Sequence, residues 1–236
     1  MTRVVIVPRN DAEAALWRTA EEVAGLFRDW PWVIVGAQMV MLLEFERGRP
    51  SGRATRDLDA IVDVRVVGDV TRLAAERLQK AGFEPSAVHP HRFVRGQDVV
   101  DLLAPDHLGP RADLTTIPPH TTTEIPGGSR ALATRRVVDV EIVGVGFCEL
   151  PVPSLAGAIA LKATAYGARR AERDLEDLVR LLSLVGDVEA VRRELKPSER
   201  IRLGSISPLK DETHAAWSIS VDPDDARAAF ARLADQ

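Results

Sequence analysis

Arg53-Ala54-Thr55-Arg56-Asp57-Leu58-Asp59 leads into the apolar run Leu58 to Val64, and the reading of this stretch decides the rest. Residues two apart on a strand project from the same face, so Asp57 and Asp59 present two carboxylates side by side. Hard divalent cations such as Mg²⁺ want oxygen ligands in that arrangement, together with phosphate oxygens and water. An isolated D-x-D is also the ordinary look of a solvated strand end. Here it follows a polar loop carrying Arg47, Arg49, Arg53 and Arg56, with Thr55 just ahead, and runs on into apolar residues.

Working towards the N-terminus, Trp32 to Val35 reads as a buried strand that ends at Gly36, and Ala37 to Phe45 as a helix rich in Met and Leu. The small-residue turn Gly36-Ala37 lets a ligand approach the backbone, and the helix start offers free N–H groups to a phosphate. Asn10, with Glu13 as a capping-box partner, opens an earlier helix with Leu16, Ala20, Val23 and Phe27 on one stripe. Towards the C-terminus, a helix from Asp69 to Gly82 is followed by a hairpin, His91 to Arg95 and Asp98 to Leu103, turned at Gly96-Gln97. That hairpin contains a third carboxylate, Asp101, inside Val99-Val100-Asp101-Leu102-Leu103. An aspartate in such a run is costly to bury unless something pairs with it. Three carboxylates on neighbouring strands could hold two metal ions for a transfer reaction.

Pro110 to Ser129 reads as loop, and residues 131–150 as another hairpin of the same sheet, broken at Gly144 and Gly146. After Pro151 and Pro153 the pattern becomes helical. Ser154 caps a helix to about Gly167, Ala171 to Leu184 is a second, Asp187 to Glu194 a third, and Asp222-Pro223 opens a last one. Lys196 to Ser220 has little periodicity. The expected fold class is α+β: a small mixed sheet flanked by helices over residues 1–150, and a helical C-terminal part over 151–236.

If the helices after Pro153 run on continuously, Lys162, Tyr166, Arg169, Arg173 and Asp177 fall within a sector of about 80° at roughly 3.6 residues per turn. Lys162 is the suggestive member, since it interrupts an apolar stretch and could neutralise charge that builds up on a phosphate. The plainer reading is a solvated face with Arg173 and Asp177 as an i, i+4 ion pair.

Composition sets bounds. With 31 basic and 35 acidic residues the net charge is −4, which argues against binding nucleic acid through bulk charge but allows a local basic site. The single cysteine, Cys148, excludes an internal disulfide and a Cys-based zinc site, and a cytoplasmic location is expected. No stretch approaches the length of a membrane span, so no membrane partner is expected. His89 and His91 read as loop residues, Gly144-x-Gly146 as a hairpin turn, and Cys148 as a structural thiol. Arg130, Arg135 and Arg136 read equally as an RNA path or as plain surface.

Taken together, Val35-Gly36-Ala37, Arg53 to Asp59, Val100-Asp101-Leu102-Leu103, and Lys162 with Arg169 and Arg173-Asp174-Leu175-Glu176-Asp177-Leu178 resemble the nucleotidyltransferases of the AbiEii/AbiGii toxin type, in the DNA polymerase β-like superfamily. The resemblance covers roughly residues 30 to 185. It implies a nucleotidyltransferase core at 1–150 and a helical subdomain at 151–236 that closes over the nucleotide. It implies Mg²⁺ or Mn²⁺ on Asp57, Asp59 and Asp101, and phosphate contacts at Gly36 and Ala37. Arg53, Thr55, Lys162, Arg169, Arg173, Asp174 and Asp177 are then placed near the nucleotide, with Lys162 and the three carboxylates as the catalytic set. The implied reaction passes a nucleotide from an NTP to an RNA (tRNA-like) or protein acceptor, as the toxin of a toxin–antitoxin pair with a cognate antitoxin. Ala37 stands where the family usually has Gly or Ser, and Val40-Met41-Leu42-Leu43 is bulkier than its usual pattern. These departures motivate the alternatives: a nucleotide- or RNA-binding module without turnover, or a small-molecule transferase of the antibiotic-modifying kind.

Overall fold

A computed structural model describes residues 3–49 and 55–234. The first strand, β1 (Val4–Ile6), leads into α1 (Asp11–Phe27), whose cap is the one the sequence announces: Asn10 Oδ1 accepts from the Glu13 amide at 3.0 Å. The return bond of the capping box is shifted by one residue, because the Glu13 carboxylate accepts from the Arg9 amide rather than that of Asn10. Leu16, Ala20, Val23 and Phe27 are all buried, as their spacing requires.

Next come β2 (Trp32–Val35), α2 (Gly36–Glu46), β3 (Asp57–Val62), α3 (Val70–Lys80), the two-residue β4 (Glu84–Pro85), β5 (Arg92–Arg95) and β6 (Asp98–Pro105). Every residue of α2 from Ala37 to Glu44 is buried, which is why, apart from Gln38 and Glu44, its sequence is apolar rather than striped. The β5–β6 hairpin pairs Arg95 with Asp98 across Gly96-Gln97, and Gly96 has φ +59°, the left-handed first position that a Gly-first two-residue loop needs. These strands form one mixed sheet in the order β2-β3-β6-β5-β4, parallel between β3 and β6 and antiparallel elsewhere along that path.

Residues 110–129 are not entirely loop. They contain β7 (Glu124–Ile125), parallel to β6, and the start of α4 (Gly128–Ala133), which is tied down where Asp106 accepts from the amides of Gly127 and Ser129. The following hairpin, β8 (Arg135–Ile142) and β9 (Gly146–Pro153), exists as expected but belongs to a different sheet. With β1 parallel to β8, it makes a separate three-stranded sheet in the order β1-β8-β9.

The C-terminal part is helical: α5 (Leu155–Arg169), α6 (Glu172–Ser183), α7 (Val188–Glu194), α8 (Pro197–Gly204), α9 (Ser207–Lys210), a 3₁₀ turn at Ala215–Ile219 and α10 (Pro223–Ala234). The stretch 196–220 is therefore more ordered than its weak periodicity suggests. Short helices bury too few residues to show a stripe. The helices after Pro153 are not continuous either. Arg170 adopts a left-handed conformation, φ +53°, and Ala171 is extended, so α6 turns away and packs on α5. Buried apolar residues from Val4 to Leu233 form one connected core. Among the described residues, no helix is long and apolar enough to cross a membrane.

Candidate active site

Four strand positions lie in one row across the mixed sheet. Val35 of β2 is in register with Asp59 of β3, Asp59 with Asp101 of β6, and Asp101 with Arg92 of β5. Partners in register share a face, so Asp59, Asp101 and Arg92 project to the same side, with Asp57 two residues before Asp59 on that side as well. The alternate residues Leu58, Ala60, Val100 and Leu102 are fully buried on the other face, and this fixes which side the carboxylates must take.

Asp101 is only 5% exposed, and the cost of burying it is met by Arg92. Nε of Arg92 donates to Oδ1 and Nη2 to Oδ2, both at 2.7 Å, a bidentate fork. The same Nη2 reaches Oδ2 of Asp57 at 3.3 Å, while Thr55 donates its hydroxyl to Oδ1 of Asp57. Asp59 is half-buried and is pushed up to about 7. Burial is the largest cause, the negative charges of Asp57 and Asp101 add to it, and Lys162 and Arg92 work against it.

Gly36 stands directly against this carboxylate. Its φ is +68°, and a Cβ there would lie 1.8 Å from Oδ2 of Asp59. Glycine is thus required twice, by the backbone and by the close approach. Gly36 and Ala37 open α2 at the edge of the site.

Facing the sheet are α5 and α6. Lys162 is 6% exposed, and its Nζ donates to Oδ2 of Asp177 at 2.7 Å and to Oδ1 of Asp174 at 3.4 Å. Arg169 closes on Asp174 from the solvent side at 2.8 and 3.1 Å. Arg173 is exposed. The basic stripe of a continuous helix is thus, in the folded chain, a buried charged cluster between two helices.

All these groups line one cavity of about 1070 Å³: Gly36, Ala37, Thr55, Asp57, Asp59, Asp101, Lys162, Arg169, Arg173, Asp174 and Asp177. Of the residues singled out in the sequence for this site, Arg53 lies outside the described residues. Arg92 was not singled out, nor were Arg9, Asn10 and Glu13, which bring the start of α1 to the cavity wall.

The other features fall elsewhere. A cavity of about 630 Å³ beside the three-stranded sheet is lined by Arg28, Arg135, Asp139 and Cys148 and contains none of the site residues. Burial, helped by Glu21, pushes the Cys148 thiol up to about 12, which suits an inert structural cysteine. Arg130 pairs with Glu199, Arg136 with Glu46, and Arg135 donates to the Trp32 carbonyl, so all three are engaged within the fold. His89 and His91 flank Pro90 with ring centroids 6.0 Å apart.

The donor set of Asp57, Asp59 and Asp101, hard carboxylate oxygens in adjacent strand positions, has the chemistry that Mg²⁺ or Mn²⁺ requires. Among the described residues, no three acidic, imidazole or thiol side chains are gathered as a ready-made metal site.

No family model matches the sequence, and no curated protein matches it. Among solved structures, the chain is similar to the solution structure of the antibiotic-resistance factor ANT(2'')-Ia, with 15% sequence identity and a TM-score of 0.42, over 83% of this chain and 93% of that one.

Proposed function

We propose that this chain is a divalent-cation-dependent nucleotidyltransferase. The observation that carries the reading is the meeting, in one cavity, of three sheet carboxylates, the start of α2 at Gly36, and the cationic groups of α5 and α6. Asp57, Asp59 and Asp101 would hold Mg²⁺ or Mn²⁺, which when bound offsets phosphate charge and lowers the pKa of a coordinated hydroxyl. The chain's own part is positioning. The α2 start, Gly36 and Ala37, offers backbone N–H groups to phosphate oxygens, and Arg173 with Arg169 adds positive charge at the rim. In the reaction, an acceptor hydroxyl gives its proton to a carboxylate of the row, such as Asp101, its oxygen forms a bond to the α-phosphorus of an NTP, the α–β phosphoanhydride bond breaks, and pyrophosphate leaves. Lys162 contributes through the Asp174 and Asp177 carboxylates it neutralises, keeping α5 and α6 together over the site.

The finer reading is that the acceptor is an RNA (tRNA-like) or a protein and that the chain is a cytoplasmic toxin held in check by a cognate antitoxin. It rests on the sequence resemblance. The test is label transfer from each α-³²P NTP, with Mg²⁺, to bulk tRNA and to protein. Transfer by the wild-type chain and its loss in a folded Asp57→Ala variant support the reading. Full activity in that variant overturns it. Growth arrest on expression, relieved by Asp57→Ala, tests the toxin role, and label appearing only on a small-molecule acceptor rejects the RNA and protein acceptors.

A further inference from the structure

Arg92 is the one cation built into the sheet row itself. Its place is set by register: the two-residue turn after Arg95 puts Arg92 directly across from Asp101, and parallel pairing puts Asp101 directly across from Asp59. Its guanidinium takes both oxygens of Asp101 and one oxygen of Asp57. These are carboxylates to which the nucleotidyl-transfer reading assigns the metal. Both partners thus already share one positive charge that cannot dissociate and is tethered to the neighbouring strand.

We propose that Arg92 is the resident counter-ion of this carboxylate cluster, and that a divalent cation binds only by displacing its guanidinium from Asp57 and Asp101. The inference rests on the proposed metal-dependent activity and adds a competitor within the protein. Three features fit displacement better than a permanent structural pair. Arg92 keeps a side chain 30% exposed to the cavity, so it has somewhere to go. Its bond to Asp57 is the longest of the three, so it is the first to yield. Asp59, the third carboxylate, forms no ion pair among the described residues and offers an incoming cation a first foothold. Entry at Asp59 followed by exchange at Asp57 and Asp101 means that the cluster is never left without a cation. Without Arg92, three carboxylates would face one another across two strands.

The proposal sets a direction that a purely structural role does not. A residue that merely shapes the site weakens metal binding when removed, whereas a competitor strengthens it. Mn²⁺ binding is measured by electron paramagnetic resonance on the nucleotide-free, full-length chain, for wild type, Arg92→Met, Arg92→Lys and Asp59→Asn. Arg92→Met keeps much of the stem and removes the charge, and is expected to bind Mn²⁺ about 10- to 100-fold more tightly, the worth of a charge-assisted hydrogen-bond pair no longer opposing the ion. Arg92→Lys, a point charge that cannot fork, is expected to fall between the two. Circular dichroism confirms that each variant is folded. Should Arg92→Met fail to fold without metal, the Arg92→Lys affinity decides alone. Equal or weaker Mn²⁺ binding in the folded variants, with binding lost in Asp59→Asn, overturns the proposal and leaves the metal reading standing. Absence of Mn²⁺ binding in every protein overturns the metal reading and this proposal with it.

Discussion

A Cβ placed on Gly36 would stand 1.8 Å from Oδ2 of Asp59, so the end of β2 and the carboxylate of β3 share a space that only glycine leaves open. The left-handed backbone at φ +68° makes the same demand independently. In Gly36→Ala the backbone term alone costs about 1–2 kcal/mol, and the carboxylate of Asp59 has to swing out of its row. The expected result is a lowered urea midpoint together with loss of Mn²⁺ binding and of label transfer. Wild-type Mn²⁺ affinity in Gly36→Ala would show that the contact does not position Asp59.

Asp59 ties stability to pH. Its proton is held up to about 7 in the fold, against an ordinary value of 3.8. A carboxyl whose pKa is raised on folding stabilises the protein while it is protonated in both states, below about 4, and that contribution is lost as pH rises through about 7. In EDTA, Asp59→Asn, which stays neutral at every pH, should therefore gain stability relative to wild type between pH 4 and pH 8. Urea midpoints for both proteins across that range measure it. A difference that does not change with pH would mean that Asp59 titrates normally in the fold.

The carboxylate pair, the small-residue turn and the later aspartate were legible because strand alternation and turn chemistry are local. Arg92 was within reach of the same logic. The hairpin turned at Gly96-Gln97 fixes Arg95 opposite Asp98, and counting outward in an antiparallel register lands on Arg92 opposite Asp101. An aspartate that needs a partner, and an arginine facing it, are both in the sequence. Other features were hidden for physical reasons. Alternation shows which face of β8 and β9 is buried but not which sheet they join, and β1, three residues long, is too short to announce itself. The break between α5 and α6, read between Gly167 and Ala171, is present at Arg170; the direction in which α6 turns there is set by the left-handed Arg170 and is not written in a local pattern. The charged cluster of Lys162 followed from that break, since only a sharp turn brings residues 174 and 177 back over residue 162.

Lys162 is expected to matter first for the fold. Its ammonium is buried between Asp174 and Asp177, and Arg169 also pairs with Asp174. In Lys162→Met the cluster loses the ammonium held between Asp174 and Asp177, and removing one member of a buried charged cluster costs about 3–5 kcal/mol. Lys162→Met combined with Asp174→Asn lowers the negative charge left in the cluster and should recover part of that loss. Urea unfolding of the two variants tests this. If the single variant were as stable as wild type, the cluster would not be what binds α5 to α6.

Arg173 should behave oppositely. It lies at the cavity rim, is exposed, and forms no ion pair among the described residues, so its charge is uncommitted in the fold. Removing an exposed side chain of this kind leaves stability within about 0.5 kcal/mol. If Arg173 serves the nucleotide phosphates, Arg173→Ala should weaken the binding of a non-hydrolysable NTP about tenfold, the worth of one charged hydrogen bond. It should leave Mn²⁺ affinity in the nucleotide-free protein unchanged, because the residue does not touch the carboxylate row. Calorimetry with the NTP analogue and Mg²⁺, beside Mn²⁺ titration of the same preparation, separates the two. Unchanged NTP affinity would remove Arg173 from the nucleotide site and leave Arg169 as the rim cation to test.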